Sequence, residues 1–279
     1  MLVAVDAGNS EVKLALIRDG RVVALRRRPS RSRVAGYDAE GLMLDALSGE
    51  PSASRAPATD AVEGFVLVSV VPGWTEAVTE LAVRMRRPVL EATARTLPIA
   101  TNVREPERVG ADRLLDAFAA LRLHGAPVIV VDLGTATTVD AVDASGTFVG
   151  GAIAPGLELG LAALASGTAQ LPRVTAAVPV RAIGRDTSEA IASGAVLGHV
   201  GVVRELVARV GAELDAPDRH GAAGQPGTRS DRPKVVATGG LSAASWMTLL
   251  VDVVDVVDPQ LTMKGLALLH AEVGAGVTP

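Results

Sequence analysis

The sequence predicts an α/β protein made of two halves that repeat one another. Three observations predict it: a self-similarity at long offset, apolar strand-like runs alternating with helix-like windows, and a composition that supports a large core. The 279 residues are 48% hydrophobic and 21% charged, which suits a compact chain rather than a disordered one. At about 150 residues per domain the length allows roughly two domains.

The repeat comes first, because a missed repeat misassigns everything downstream. Leu2-Val3-Ala4-Val5-Asp6 matches Val128-Ile129-Val130-Val131-Asp132 at an offset of 126, which is 132 minus 6. Gly8 pairs with Gly134 and Gly20 with Gly146 at the same offset. Each copy reads as an apolar strand, a D-x-G turn, a second strand (Val12 to Ile17; Thr138 to Asp143), a glycine turn and a third strand (Arg21 to Leu25; Thr147 to Gly151). In the first half, helix-like windows follow at Asp38 to Leu47 and Thr75 to Met85, with a buried-strand run Phe65 to Val71 between them. From Ala111 to Leu121 the apolar residues Leu114, Leu115, Phe118 and Leu121 fall on one face of a helix.

Gly125-Ala126-Pro127 reads as the joint, so the predicted domains are residues 1–122 and 123–279. The second half continues with helices near Leu157 to Ala165 and Asp186 to Val210, and a strand Val235 to Ala237. A helix near Ser242 to Leu250, a strand Val251 to Val257 and a final helix from Thr262 complete it. Residues 216–234, rich in Gly, Pro, Arg and Asp, read as a mobile surface excursion without chemistry.

Composition also excludes. A net charge of -4 gives no electrostatic footprint for nucleic acid, and aromatics at 2% leave few platforms for stacked bases. With no cysteine there are no disulfides, thiolate zinc sites or thiol nucleophiles, and a cytoplasmic location is expected. No basic stretch precedes an apolar run at the N-terminus, and no run reaches about 18 uninterrupted apolar residues, so no membrane association is expected. His124, His199, His220 and His270 show no metal-ligand spacing and read as structural or solvated.

The chemistry lies in the two D-x-G turns. A carboxylate ending a buried strand is costly unless it is paired, hydrogen-bonded or metal-bound. A following glycine lets backbone N–H groups approach an anion closely. Together they suit a phosphate chain with its cation. Ser10 follows Gly8-Asn9, while Thr135, Thr137 and Thr138 crowd the second turn, and Lys13 can reach a phosphate as a point charge. Hairpin turns without function remain the alternative for either turn alone. Thr238-Gly239-Gly240, between a strand and a helix start, offers a third anion-approach geometry.

D-A-G-N-S with Lys13, D-L-G-T-A and A-T-G-G resemble the phosphate-1, phosphate-2 and adenosine motifs of the acetate and sugar kinase, Hsp70 and actin superfamily. S-V-V-P (Ser69 to Pro72), V-G-A-D-R-L (Val109 to Leu114), G-G-A-I-A-P-G (Gly150 to Gly156) and I-G-R-D-T-S-E-A-I (Ile183 to Ile191) narrow the resemblance to type III pantothenate kinases. It covers nearly the whole chain outside the excursion.

The resemblance implies two ribonuclease-H-like domains with a central cleft, where ATP phosphorylates the terminal hydroxyl of pantothenate, the first step of coenzyme A synthesis. Asp112 would be the general base, with Gly110, Ala111, Arg113 and Thr187 around pantothenate. Arg113, a cation at a helix start, also suggests an anionic partner such as the pantothenate carboxylate. Asp6, Ala7, Gly8, Asn9, Ser10, Lys13, Thr135, Gly239 and Gly240 would bind ATP, Asp6 with Mg²⁺ directly or through water. Asp132 would hold a monovalent cation, K⁺ or NH₄⁺, and Thr187 would reach across a homodimer interface. Thr187 also sits in an ordinary capping pattern with Asp186 and Glu189. Two departures are visible: Ser10 replaces the commoner threonine, and Val103 stands where family members usually carry an aromatic that walls the pantothenate pocket. Rival functions are another small-molecule kinase of the superfamily and a non-catalytic nucleotide-binding regulatory protein.

Overall fold

The computed structural model describes residues 1–30, 38–48, 58–215 and 232–274. The strands are β1 (Leu2–Ala7), β2 (Glu11–Arg18), β3 (Arg21–Pro29), β4 (Gly64–Ser69), β5 (Val89–Glu91), β6 (Ala100–Thr101), β7 (Val128–Leu133), β8 (Ala136–Val142), β9 (Thr147–Pro155), β10 (Lys234–Thr238) and β11 (Val256–Val257). The α-helices are α1 (Ala39–Ser48), α2 (Pro72–Met85), α3 (Ala111–His124), α4 (Leu157–Gly167), α5 (Thr187–Asp215) and α6 (Leu261–Val273). They form two compact units, one of Met1–Ile99, Arg104–Ala119 and the segment from Gln260 on, the other of Ala100–Val103 and Ala120–Pro259.

In the first unit the sheet order is β3-β2-β1-β4-β5, with β1 antiparallel to β2 and parallel to β4. Its β-branched strands bury Val3, Val5, Val12, Leu14, Phe65 and Leu67, onto which Leu42 and Met43 of α1 and Trp74, Val78 and Leu81 of α2 pack. Asp19 (φ 51°) and Gly20 (φ 72°) form a two-residue turn between β2 and β3, the left-handed pair that matches strand twist. Helix α2 begins with Pro72 in its first turn, where a missing N–H costs nothing. It stops at left-handed Arg86, whose N–H returns to the Ala82 and Val83 carbonyls.

The second unit repeats that order as β9-β8-β7-β10-β11, with β6 added beside β9. The fold is therefore two duplicated ribonuclease-H-like α/β units. Over the second strands the repeat is offset by one residue: β2 shifts register between Leu16 and Ile17, β8 between Ala141 and Val142, and 141 minus 16 is 125; the third strands return to 126, Val22 opposite Ile17 matching Phe148 opposite Val142. A four-residue link joins Ala7 to its partner Val12, against three residues from Leu133 to Thr137. The core is formed by Ile129, Val131, Val139, Val235 and Ala237 under Val196, Val200, Val203 and Val207 of α5. By length and composition α5 could cross a membrane. Its residues Ile191, Val196, Val200, Val203 and Val207 lie in this core.

Several elements differ from expectation. The expected strand over Val251 to Val257 shrinks to Val256–Val257. Here Asp252 pairs with Arg204, and Asp255 accepts the Val235 N–H at 2.8 Å while pairing with Arg232, so both carboxylates turn to side-chain work. The helix expected near Ser242 to Leu250 is a short 3-10 turn over Ser245–Leu250. Strands β5 and β6, of three and two residues, are too short to carry a periodic signal. Of the excursion expected over 216–234, residues 216–231 lie outside the described residues, and Lys234 already opens β10. The final helix α6, expected in the second half, packs in the first unit, with Gly265 set close against Leu115 and Ala119 of α3.

Candidate active site

In the first unit the D-A-G-N-S turn joins β1 to β2. Pairing Asp6 with Lys13 across the ladder lets the Lys13 ammonium donate to Asp6 Oδ2 at 3.0 Å, with both side chains largely buried. Gly8 N–H donates to the Glu11 carbonyl at 3.0 Å, closing the turn and leaving Asn9 and Ser10 exposed at its tip. A largely buried carboxylate thus has a cation beside it, and Asn9 and Ser10 lie exposed at the tip.

Asp112 lies in the first turn of α3, the positive end of the helix dipole. Burial pushes its carboxyl above the ordinary value, and the negative charge of Asp6 adds to the rise. The Arg113 N–H, bonded to Asp112 Oδ1 at 2.9 Å, and the Arg113 charge oppose it. A Cβ at Gly110 would lie 2.5 Å from Asp112 Oδ1, so the glycine of G-A-D-R leaves room for this carboxylate. Asp112 thus lies within the electrostatic reach of Asp6, which Lys13 pairs with, and of Arg113.

In the second unit Gly134 N–H donates to the Ala136 carbonyl at 3.0 Å and Thr135 is exposed at the tip. Two glycines clamp this turn. A side chain at Gly156 would collide with the Gly134 and Thr135 carbonyl oxygens; one at Gly239 (φ 91°) would collide with Asp132 Oδ1 and the Leu133 backbone. The parallel register of Thr238 with Asp132 brings Gly239 there, next to exposed Gly240. Among the described residues no group of three or more His, Asp and Glu could hold a metal ion. The Asp132 carboxylate, with the Leu133 carbonyl oxygen near it around Gly239, suits a weakly charged cation. Asp6, also a single carboxylate, suits a Mg²⁺ whose other ligands are waters and phosphate oxygens.

Thr187 is the exposed first residue of α5. Its neighbours do the capping: Asp186 Oδ1 accepts the Glu189 N–H at 2.8 Å, and Glu189 Oε2 accepts the Arg185 N–H at 2.9 Å. Gly184 lies so close to Ala190 that any side chain there would meet its backbone. Val103 borders Gly150 of β9.

Sequence reasoning passed over the supports behind these turns. Buried His199 of α5 shares a 3.1 Å hydrogen bond with Thr137 and packs edge-on against Trp246, and burial lowers its pKa. Asp140, also buried, accepts the Thr138 hydroxyl at 2.9 Å. An acidic residue inside a Val-rich strand was the available signal for Asp140; nothing local marked His199.

A family model described as type III pantothenate kinase matches residues 2–209. Curated type III pantothenate kinases from Rubrobacter xylanophilus and Thermomicrobium roseum are 39% and 37% identical, covering 97% and 99% of this chain and 97% and 100% of theirs. One from Anaeromyxobacter sp. (strain K) is 36% identical over 97% of this chain and 98% of its own. Among solved structures, a Campylobacter jejuni protein carrying the provisional name of a Baf family transcriptional activator superposes with a TM-score of 0.52 at 14% identity. It covers 98% of this chain and 99% of that one, a likeness of fold alone. The full-length identities and the matched model, falling on a chain with both phosphate-type turns and the G-A-D-R helix start, show that it belongs to the type III pantothenate kinase family.

Proposed function

We propose that this protein transfers the γ-phosphoryl group of ATP to the terminal hydroxyl of pantothenate, yielding 4'-phosphopantothenate for coenzyme A synthesis, with Asp112 as general base. Membership of the family makes it a phosphotransferase. The observation that carries the assignment of the base is the partly buried Asp112 carboxyl, raised in pKa by its burial and in the electrostatic reach of Asp6.

Phosphoryl transfer asks the protein for positioning and charge neutralisation more than covalent chemistry. In this reading Ala7, Gly8, Asn9 and Ser10 receive phosphate oxygens at the first turn, with Lys13 supplying a point charge. Thr135, Gly239 and Gly240 serve the nucleotide. Asp112 takes the proton of the pantothenate hydroxyl, and its raised pKa makes it a stronger proton acceptor than an ordinary aspartate. Gly110 and Ala111 shape the start of α3, and Arg113 pairs with the substrate carboxylate. Mg²⁺ near Asp6 and K⁺ or NH₄⁺ at Asp132, when bound, would neutralise phosphate charge. Thr187 would contact the pantothenate of a second copy in a homodimer. We place the reaction in the cytoplasm, which a cysteine-free chain suits.

The test is ADP formation from ATP with and without pantothenate, in K⁺ or NH₄⁺ against Na⁺. Pantothenate-dependent turnover that rises with K⁺ or NH₄⁺ is expected. Turnover with a hexose instead would point to a different acceptor, and no turnover would reject the kinase reading of this chain.

A further inference from the structure

The S-V-V-P string and the Trp74 just after it have no place in the substrate contacts above, yet Val70 bonds to one end of the first phosphate turn and Trp74 leads, through Ser30, to the other. Ser69 ends β4, and its hydroxyl both accepts the Val71 N–H at 3.0 Å and donates to the Val71 carbonyl at 2.8 Å. That bend delivers Pro72 to the first turn of α2. Val70 N–H reaches the Ala7 carbonyl at 3.0 Å, one bond beyond the pairing of Ala7 with Ser69. On the first turn of α2, buried Trp74 donates its indole N–H to the Ser30 carbonyl at 2.7 Å, across 44 positions of chain. Ser30, fully buried at the end of β3, donates its own N–H to the Ser10 carbonyl at 3.0 Å.

We propose that the Ser69–Trp74 segment is a brace for the phosphate-1 turn, and that Trp74 is a positioning residue for ATP acting through Ser30 and Ser10. Asn9 and Ser10 are exposed, so packing of their side chains holds the turn only weakly. Backbone bonds then matter more: Gly8 to Glu11 closes the turn, Val70 holds the Ala7 end, and Trp74 reaches the Ser10 end through one intervening residue, Ser30. A turn whose amides face a phosphate gains affinity when it is already ordered before the ligand arrives. A phenylalanine could fill much of the Trp74 cavity; the N–H donor is what the indole alone adds. The inference rests on the reading of this turn as a phosphate site, and the experiment separates the two.

Ser10→Ala and Trp74→Phe are compared with the wild type for kcat, the KM of each substrate, the Kd of a non-hydrolysable ATP analogue and Tm. Trp74→Phe is expected to raise the ATP KM and the analogue Kd by about three- to ten-fold, the worth of one buried hydrogen bond. The pantothenate KM stays unchanged and kcat stays within about two-fold, a split that a general loss of packing does not produce. A lower Tm with both ATP constants unchanged, while Ser10→Ala raises them, overturns the brace alone. Unchanged ATP constants in Ser10→Ala overturn the phosphate site on which it rests. Should Trp74→Phe fail to fold, amide hydrogen exchange on the wild type decides. The Ser30 amide must exchange more slowly with the ATP analogue and not with pantothenate, and no slowing overturns the brace.

Discussion

Asp112 carries two opposite demands in one side chain. As the proposed base it must be ionised, yet burial and the charge of Asp6 raise its pKa. Activity is therefore expected to fall with an acid limb above the usual aspartate range, as pH drops through the raised value. Asp112→Asn should lose about 10² to 10⁴ in kcat while retaining ATP binding, with its residual rate lacking that limb. Stability runs the other way. An acid whose folded pKa is raised contributes stability below its unfolded value, and that contribution is lost as pH rises through the folded one. Asp112→Asn should thus melt higher than wild type at neutral pH, the gap closing as pH falls towards 3.8. A variant that loses turnover without gaining Tm would mean the carboxylate is not strained by its site. The sequence made Asp112 legible because G-A-D-R opens an amphipathic run, and Asp6 and Asp132 because each ends an apolar strand before glycine. Trp74 and His199 were not legible, since an indole or imidazole on an apolar face looks like core until its partner, 44 or 62 positions away, is known.

Among elements, the start of α5 sets a structural role beside the functional one proposed for the next residue. Asp186 caps the helix through the Glu189 N–H, whereas Thr187 has an exposed side chain. Asp186→Ala should cost about 0.5–2 kcal/mol of stability, the usual worth of an N-cap. Thr187→Ala should leave Tm nearly unchanged and raise the KM for pantothenate but not for ATP. Thermal melts and steady-state kinetics on the pair check this, and the reading of Thr187 fails if its variant shifts Tm as Asp186→Ala does while sparing the pantothenate KM. The capping pattern was readable because its residue types sit at fixed spacing. The glycine clamp on the second turn was only half readable: Gly239 follows a strand as an anion site would, but Gly156 acts by leaving space for the Gly134 and Thr135 carbonyls. Such a contact is set by strand register, which period-2 patterns constrain without specifying the partner.

At the scale of the whole molecule the chain leaves the first unit, builds the second and returns, because α6 covers the first sheet. A helical period shows which face of α6 is apolar and says nothing of which sheet it will cover, so the sequence boundary at 122 left it with the wrong partner. Leu261, Met263, Leu266 and Leu269 are at most 2% exposed. Truncating any one of them to alanine should cost about 2–5 kcal/mol, and losing all four approaches or exceeds the roughly 5–15 kcal/mol of a typical domain. A fragment of residues 1–122 should therefore fail to fold cooperatively alone, although it holds all five strands of the first sheet. Adding a peptide spanning 260–274 in trans should restore a sigmoidal melt and slow amide exchange in β1 and β4, the strands α6 packs against. Cooperative melting of 1–122 by itself would show that α6 only covers a sheet already stable without it.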